Sequence, residues 1–318
     1  MLQPDPARVR ELLAFGRLVP ALRQAFVAGA TVPQRHTHVV GAGGEGGEGR
    51  STGTSLIMPA WDEAGFYGVK IVNIYPGNGA LGLPGLHSIY VLHDARTGVP
   101  LALLDGNEIT SRRTAAAAAL AASFLARPDA ARLVVAGAGR VGSLLPLAMA
   151  TVRTLSHVAV WDIDSAAAQR CAESLCRQGL PAEEVAGLES AVRAADIVSC
   201  ATLATTPVIG AGWLPPGCHL DLIGSFTPEM TEAAPGCFAG AGVWVDTDEA
   251  MAKSGDLLNA VAAGCLRAED IRGDLAGLCR GQVTGRAGVV QRTVFKAVGS
   301  ALEDLAAATL VYRQLATA

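Results

Sequence analysis

Two patterns of hydrophobic and polar positions divide this chain. Between residues 113 and 288, short strand-like segments rich in apolar and β-branched residues, at 133–136, 157–161, 197–201, 219–223 and 243–246, are separated by stretches in which apolar residues recur at helical spacing. Alternation of strand and helix predicts a parallel, doubly wound sheet with right-handed crossovers. The first 112 residues read as mixed α and β. Amphipathic helices are predicted over about 6–17 and 20–28, then strand-like pieces at 55–59, 66–75 and 88–94 between glycine-rich turns. Residues 293–318 read as one amphipathic helix that returns to pack on the first domain. The expected fold class is therefore α/β: a doubly wound domain over 113–292, and a discontinuous mixed α+β domain made of 1–112 and 293–318. The run 41–53, GAGGEGGEGRSTG, is of low complexity and reads as a mobile hairpin tip.

The first strand of the doubly wound region runs into V-V-A-G-A-G-R-V-G at 134–142, with Asp162 twenty residues beyond Gly142 at the end of the second strand. Gly137 allows a tight turn, Gly139 lets backbone approach a pyrophosphate, and Gly142 lets helix and strand pack closely. The following helix N-terminus offers free N–H groups to phosphates, and the Asp162 carboxylate suits ribose hydroxyls. Strand, turn, helix and distal acid fall in the order of a Rossmann dinucleotide site. A carboxylate at 162 repels a 2′-phosphate and no arginine follows at once, so NAD(H) is favoured, with NADP(H) possible.

Composition narrows the function classes. Half of the 318 residues are apolar, 17% are charged and the net charge is −4, with no long run of one sign. This predicts a large core and neither a nucleic-acid nor a membrane surface as partner. The N-terminus lacks a signal-type apolar segment, and the longest apolar run, 115–126, is too short to span a bilayer. Seven cysteines without C-x-x-C spacing read as reduced thiols of a cytoplasmic protein. Six histidines without H-x-x-x-H spacing predict no metal site.

An anionic substrate needs cations, and three stand out: Arg35, Lys70 within the apolar run V-K-I-V, and Arg113 just ahead of an alanine-rich helix. A lysine in an apolar strand needs an anionic partner to stay charged. An arginine at a helix N-terminus would trap a carboxylate with help from the helix dipole, and Thr114 would then fit an N-cap or first-turn position near a cofactor phosphate. The alternative is that each cation serves a structural salt bridge.

At these residues the sequence resembles the ornithine cyclodeaminase/μ-crystallin family. The matching pieces are P-Q-R-H at 33–36, L-I-M-P-A at 56–60, G-V-K-I-V-N at 68–73, Y-P-G-N at 75–78, T-G-V-P-L-A-L-L-D-G at 97–106, T-S-R-R-T-A-A at 110–116, G-A-G-R-V-G at 137–142 and F-K-A-V-G-S-A-L-E-D-L-A at 295–306. The resemblance implies a Rossmann domain plus a substrate-binding and dimerisation domain, a homodimer formed through β-structure of the latter, and a small amino or imino acid as substrate. It places Arg35, Lys70 and Arg113 on the substrate carboxylate, Lys70 and Arg113 at the catalytic centre, and Met58 and Phe226 beside the substrate. It places Thr114, Gly137, Gly139, Arg140, Val141, Gly142, Asp162, Thr202, Gly224 and Ser225 at the cofactor.

Two departures bear on the reaction. Cyclodeaminases of the family carry an Asp in a G-G-D-x-P-G-K-x-E-L block; here the block reads I-G-S-F-T-P-E-M-T-E-A at 223–233, with Phe226 at the Asp position and Met230 at the Lys position. A phenyl ring cannot accept a proton, so the usual acid/base is lost, and a ring there suits an apolar cyclic imine. Gly85 stands where many members have Thr. NAD preference is typical of the cyclodeaminase branch, whereas ketimine reductases often prefer NADPH; the missing acid decides, because it is the harder loss to compensate. The expected activity is NAD(P)H-dependent reduction of a cyclic imino acid, of the Δ1-pyrroline-2-carboxylate or Δ1-piperideine-2-carboxylate type, to proline or pipecolate. The alternatives are an ornithine cyclodeaminase, an alanine-type amino-acid dehydrogenase and a non-catalytic μ-crystallin-like binding protein.

Overall fold

The computed structural model describes residues 1–41 and 53–317, so nearly all of the glycine-rich run 41–53 lies outside the described residues. The chain forms two compact units: Met1–Ala21, Ala28–Arg113 and Ser300–Ala318 make one, and Leu22–Val27 with Thr114–Gly299 the other.

The first unit begins with α1 (Pro6–Leu12), capped by the Asp5 carboxylate, which accepts from Arg8 N at 2.8 Å, and with the start of α2 (Phe15–Ala28). Pro20, expected at a helix start, lies inside α2. Five antiparallel strands follow in chain order: β1 (His36–Val40), β2 (Gly53–Trp61), β3 (Phe66–Ile74), β4 (Leu86–Asp94) and β5 (Pro100–Asp105). β1 and β5 escaped the sequence reading, because every residue of β1 is exposed and β5 lacks a clean alternation. On β2 to β5 one face is buried, carrying Met58, Ala60, Gly68, Lys70, Val72, Tyr90, Leu92, Ala102 and Leu104.

α3 (Gly106–Leu125) begins seven residues before Arg113. The Asp105 carboxylate accepts from Glu108 N at 2.7 Å, a side-chain cap that starts the helix there. Arg113 and Thr114 therefore sit two turns inside the helix. This corrects the placement of Arg113 ahead of the helix and of Thr114 at its N-cap, and removes the dipole argument for both. The alanine run is buried on every side, Ala115 to Ala122 being at most 1% exposed, as expected of a helix apolar all round. No helix of the described residues is long and apolar enough to cross a membrane.

The second unit holds an all-parallel sheet of β6 (Arg132–Ala136), β7 (His157–Trp161), β8 (Ala182–Glu184), β9 (Ile197–Cys200), β10 (His219–Leu222), β11 (Gly242–Val245), β12 (Ile271–Asp274) and β13 (Thr293–Lys296), in the order β12-β11-β13-β10-β9-β6-β7-β8. Helices α4 (Leu145–Met149), α5 (Ser165–Arg177), α6 (Leu188–Arg193), α7 (Ala250–Lys253), α8 (Gly255–Ala262) and α9 (Leu275–Arg280) lie between strands. The strand order reverses between β6 and β9, and in such sheets the ligand crevice opens at the carboxyl ends beside that reversal.

The single helix expected over 293–318 is two elements. Residues 293–296 form β13, inserted between β10 and β11, and the helix proper, α10 (Ala301–Ala316), starts after a break at Gly299, whose φ is +84°. Ser300 caps it, accepting from Leu302 N at 3.2 Å. α10 belongs to the first unit and covers the buried face of the antiparallel sheet, with Tyr312 edge-on to Phe66 at 5.9 Å.

Candidate active site

In the second unit the glycine turn after β6 has the shape a dinucleotide requires. Gly137 holds φ +102°, and a Cβ there would lie 2.6 Å from the Ala201 carbonyl. A Cβ on Gly142 would lie 1.7 Å from the Gly137 carbonyl, so the chain can close on itself only with glycine there. A Cβ on Gly139 would meet nothing within 4 Å; here the glycine leaves open space above the backbone rather than solving a packing problem. Arg140 is exposed beside it, Val141 is half-buried, and the turn enters a short 3-10 segment ahead of α4. Asp162, at the end of β7, turns its carboxylate to this loop: Oδ2 accepts from Ala138 N at 2.7 Å and Oδ1 from Asp164 N at 2.9 Å. Open room at Gly139 and an acid tied to the turn fit an adenine dinucleotide.

The loops after β9 and β10 are braced by a residue the sequence reading missed. Glu232, fully buried, accepts from Thr202 N at 2.7 Å, from Thr202 Oγ1 at 2.9 Å and from Gly224 N at 2.6 Å. Its carboxylate thus ties two strand ends, and Gly224 has no room for a side chain, since a Cβ would lie 2.0 Å from the Thr202 carbonyl. Below it, Asp256 Oδ1 accepts from Thr231 Oγ1, Glu232 N and Ala233 N, and Lys296 Nζ faces Asp256 Oδ2 at 3.5 Å. Ser225 turns its hydroxyl inward, donating to the Met230 carbonyl at 2.6 Å. Phe226 in this segment is 41% exposed, and Pro228 and Glu229, two and three residues further on, are exposed as well. An aromatic ring at that exposure is not core packing.

In the first unit the register of the sheet gathers the expected substrate residues. Met58 on β2 pairs with Lys70 on β3, and Lys70 pairs with Tyr90 on β4. Arg35 immediately precedes His36, which pairs with Ile57, so the row continues toward Arg35 at the sheet edge. Lys70 is 1% exposed, and its ammonium is 2.6 Å from Asp304 Oδ2. Arg113 donates from Nε to Asp304 Oδ1 at 3.0 Å and from Nη1 to Glu303 Oε2 at 2.7 Å. Burial of Lys70 is the largest influence on it and, against the attraction of Asp304, brings its pKa down to about 8. Asp304 loses solvation too, but Lys70 and Arg113 outweigh that and hold its carboxyl below the usual range.

Glu303 and Asp304 are the other residues the sequence reading missed. They fall in the stretch 293–318 that reads as one amphipathic helix, and both are fully buried. They lie in the first turn of α10, where the helix N-terminus favours negative charge. The pair of cations expected to be available for a ligand is thus matched by two carboxylates. Arg112, beside Arg113, has a different fate: Nε donates to the Leu13 carbonyl and the guanidinium lies over Phe15.

An all-parallel sheet with this turn defines a Rossmann-type dinucleotide-binding protein, here joined to an antiparallel unit with a buried cation pair. The chain belongs to the ornithine cyclodeaminase/mu-crystallin family, whose model matches residues 8–318. It is 38% identical over 312 residues, 95% of each chain, to a Δ1-pyrroline-2-carboxylate reductase of Paracoccus denitrificans. The fold is that of the Thermococcus litoralis Δ1-pyrroline-2-carboxylate reductase solved with NADH and L-proline, with a TM-score of 0.91, 29% identity and 100% and 98% of the two chains covered. It is also that of an archaeal alanine dehydrogenase dimer solved with NAD, with a TM-score of 0.90, 28% identity and 100% and 96% covered.

Proposed function

We propose that this chain is an NAD(P)-dependent reductase that converts a cyclic imino acid of the Δ1-pyrroline-2-carboxylate or Δ1-piperideine-2-carboxylate type to proline or pipecolate. The observation that carries this reading over cyclodeamination is Phe226. It is exposed at the surface of the braced segment, where cyclodeaminases of the family hold a proton-accepting Asp. Likeness to reductases along nearly the whole chain supports the same choice.

The bound dinucleotide supplies the hydride for the imine carbon. Gly137, Gly139, Arg140, Val141 and Gly142 receive its phosphates, Asp162 its ribose hydroxyls, and Thr114, Thr202, Gly224 and Ser225 complete its surroundings. Ser225 acts through its backbone, because its hydroxyl is already engaged. Lys70 and Arg113, with Arg35 at the sheet edge, hold the substrate carboxylate, and Met58 offers an apolar surface beside Lys70. A protonated imine accepts hydride without further help from an acid, which suits Phe226. Incubation with NADH and Δ1-pyrroline-2-carboxylate, followed by chromatography of the products, is expected to yield proline. Ammonia released from L-ornithine with catalytic NAD would instead mean a cyclodeaminase that has replaced its Asp.

NAD(H) is the proposed partner in preference to NADP(H), supported by Asp162 beside the glycine turn and by NADH and NAD in the two similar structures. Asp162→Ala is expected to raise the KM for NADH about tenfold, the worth of one charged hydrogen-bond set, and that for NADPH much less. The ratio of the two kcat/KM values measures this, and an unchanged ratio would remove Asp162 from the ribose site. A homodimer is proposed through the outer face of the antiparallel sheet, where Trp61 is 40% and Ile89 46% exposed. Sedimentation velocity is expected to give a dimer mass. A cytoplasmic setting is proposed from seven cysteines that are all free thiols.

A further inference from the structure

One carboxylate joins two cations that the chain brings from distant places. Asp304 on α10 places Oδ2 2.6 Å from Lys70 Nζ on β3 and Oδ1 3.0 Å from Arg113 Nε on α3. All three side chains are at least nine-tenths buried, so water offers none of them an alternative partner. Arg113 has a second carboxylate, Glu303, at 2.7 Å, whereas Lys70 forms its ion pair with Asp304.

We propose that Asp304 is a positioning residue: bridging Lys70 and Arg113, it fixes the two cations as one anion receptor and holds the proton on Lys70. This rests on the reading that Lys70 and Arg113 take the substrate carboxylate. The surroundings of Lys70 show why the bridge is needed. Its neighbour on β2, Met58, carries no charge. Its neighbour on β4, Tyr90, keeps its phenol proton, because burial raises that group well above its usual range. From α3, Arg113 opposes a positive charge on Lys70; from α10, Asp304 and, more weakly, Glu303 favour it. With Asp304 neutral, burial and Arg113 push the same way, with only Glu303 against them, and the ammonium loses its proton at lower pH. The sign follows directly. Lys70 is charged below its pKa of about 8 and neutral above it, so affinity for a carboxylate falls on the alkaline side, and earlier when Asp304 is gone.

The test is the pH dependence of kcat/KM for the imino acid, which reports ionisations of the free enzyme and of the free substrate; the substrate's own ionisation is common to every variant, so a difference in the limb between variants belongs to the enzyme. Asp304→Asn is expected to move the alkaline limb down by more than a pH unit, while NADH affinity, read by fluorescence, stays at the wild-type value. Asp304→Glu, which keeps the charge, is expected to retain the limb near its wild-type position with a raised KM. Asp304→Ser serves if the Asn variant does not fold, with the same expected shift. A limb left in place by both neutral variants, with only a uniform loss of activity, would overturn the proposal. Lys70→Met separates the two failures. An unchanged KM there would defeat the substrate reading itself. A raised KM with the limb reduced to the substrate's own ionisation, beside an unmoved limb in Asp304→Asn, would defeat only the role of Asp304.

Discussion

Replacing Arg113 with alanine is expected to raise the KM for the imino acid by about 10²–10³-fold and leave NADH affinity near wild type. The guanidinium donates to Asp304 at 3.0 Å and to Glu303 at 2.7 Å in surroundings that exclude water. Truncating one member of a buried charge pair costs about 2–5 kcal/mol, and each tenfold in affinity is about 1.4 kcal/mol. The loss falls on an anionic substrate in particular. Two cations balance two carboxylates in the intact cluster; without Arg113 a surplus negative charge remains where a carboxylate is to bind. The dinucleotide residues belong to the other unit, and fluorescence titration with NADH checks them independently. Equal loss of substrate and NADH affinity would make Arg113 a purely structural residue.

The second large effect separates two glycines of one turn. Gly142→Ala is expected to abolish NADH binding and to lower the melting temperature, because its Cβ would lie 1.7 Å from the Gly137 carbonyl and only a shift of backbone relieves that overlap. Overpacking of this kind costs about 1–3 kcal/mol or more. Gly139→Ala is expected to melt as the wild type does, since its Cβ meets nothing within 4 Å, and still to weaken NADH binding by about tenfold or more, because a methyl group takes the room in which phosphate approaches backbone. Thermal melts and NADH titrations of both variants check this. Wild-type affinity in Gly139→Ala would show that the open space above the turn is not the phosphate site.

The parallel sheet was legible where strands are buried on both faces, since 133–136 (L-V-V-A) and 158–161 (V-A-V-W) are continuous apolar or β-branched runs with fully buried centres. The misses have physical causes. β8 is A-E-E at the edge of the sheet, with no apolar run to mark it. β13 ends in Lys296, which a sequence reader assigns to a polar surface, although it is fully buried opposite Asp256. The start of α3 was legible in principle: D-G-N-E at 105–108 is a capping pattern, but the alanine run drew the boundary to Arg113.

The same contrast holds in the site. The glycine turn and Asp162 were legible because the whole motif lies within thirty residues of chain. Lys70 was legible because a lysine in an apolar strand asks for an anion. The answer to that request, Asp304, lies 234 residues further along the chain, and nothing local to Glu303 or Asp304 separates a buried carboxylate from a solvated one. Glu232 was hidden for the same reason: its three donors come from two other strand ends.

The measurement that bears most directly on the proposed activity is the loss of NADH absorbance on addition of Δ1-pyrroline-2-carboxylate or its six-membered homologue to the purified protein, with NADPH run in parallel. Rapid oxidation dependent on the imino acid, and faster with NADH than with NADPH, is the predicted result. No oxidation with either cofactor, in a protein that still binds NADH, would contradict it and leave the chain a dehydrogenase of another substrate or a binding protein.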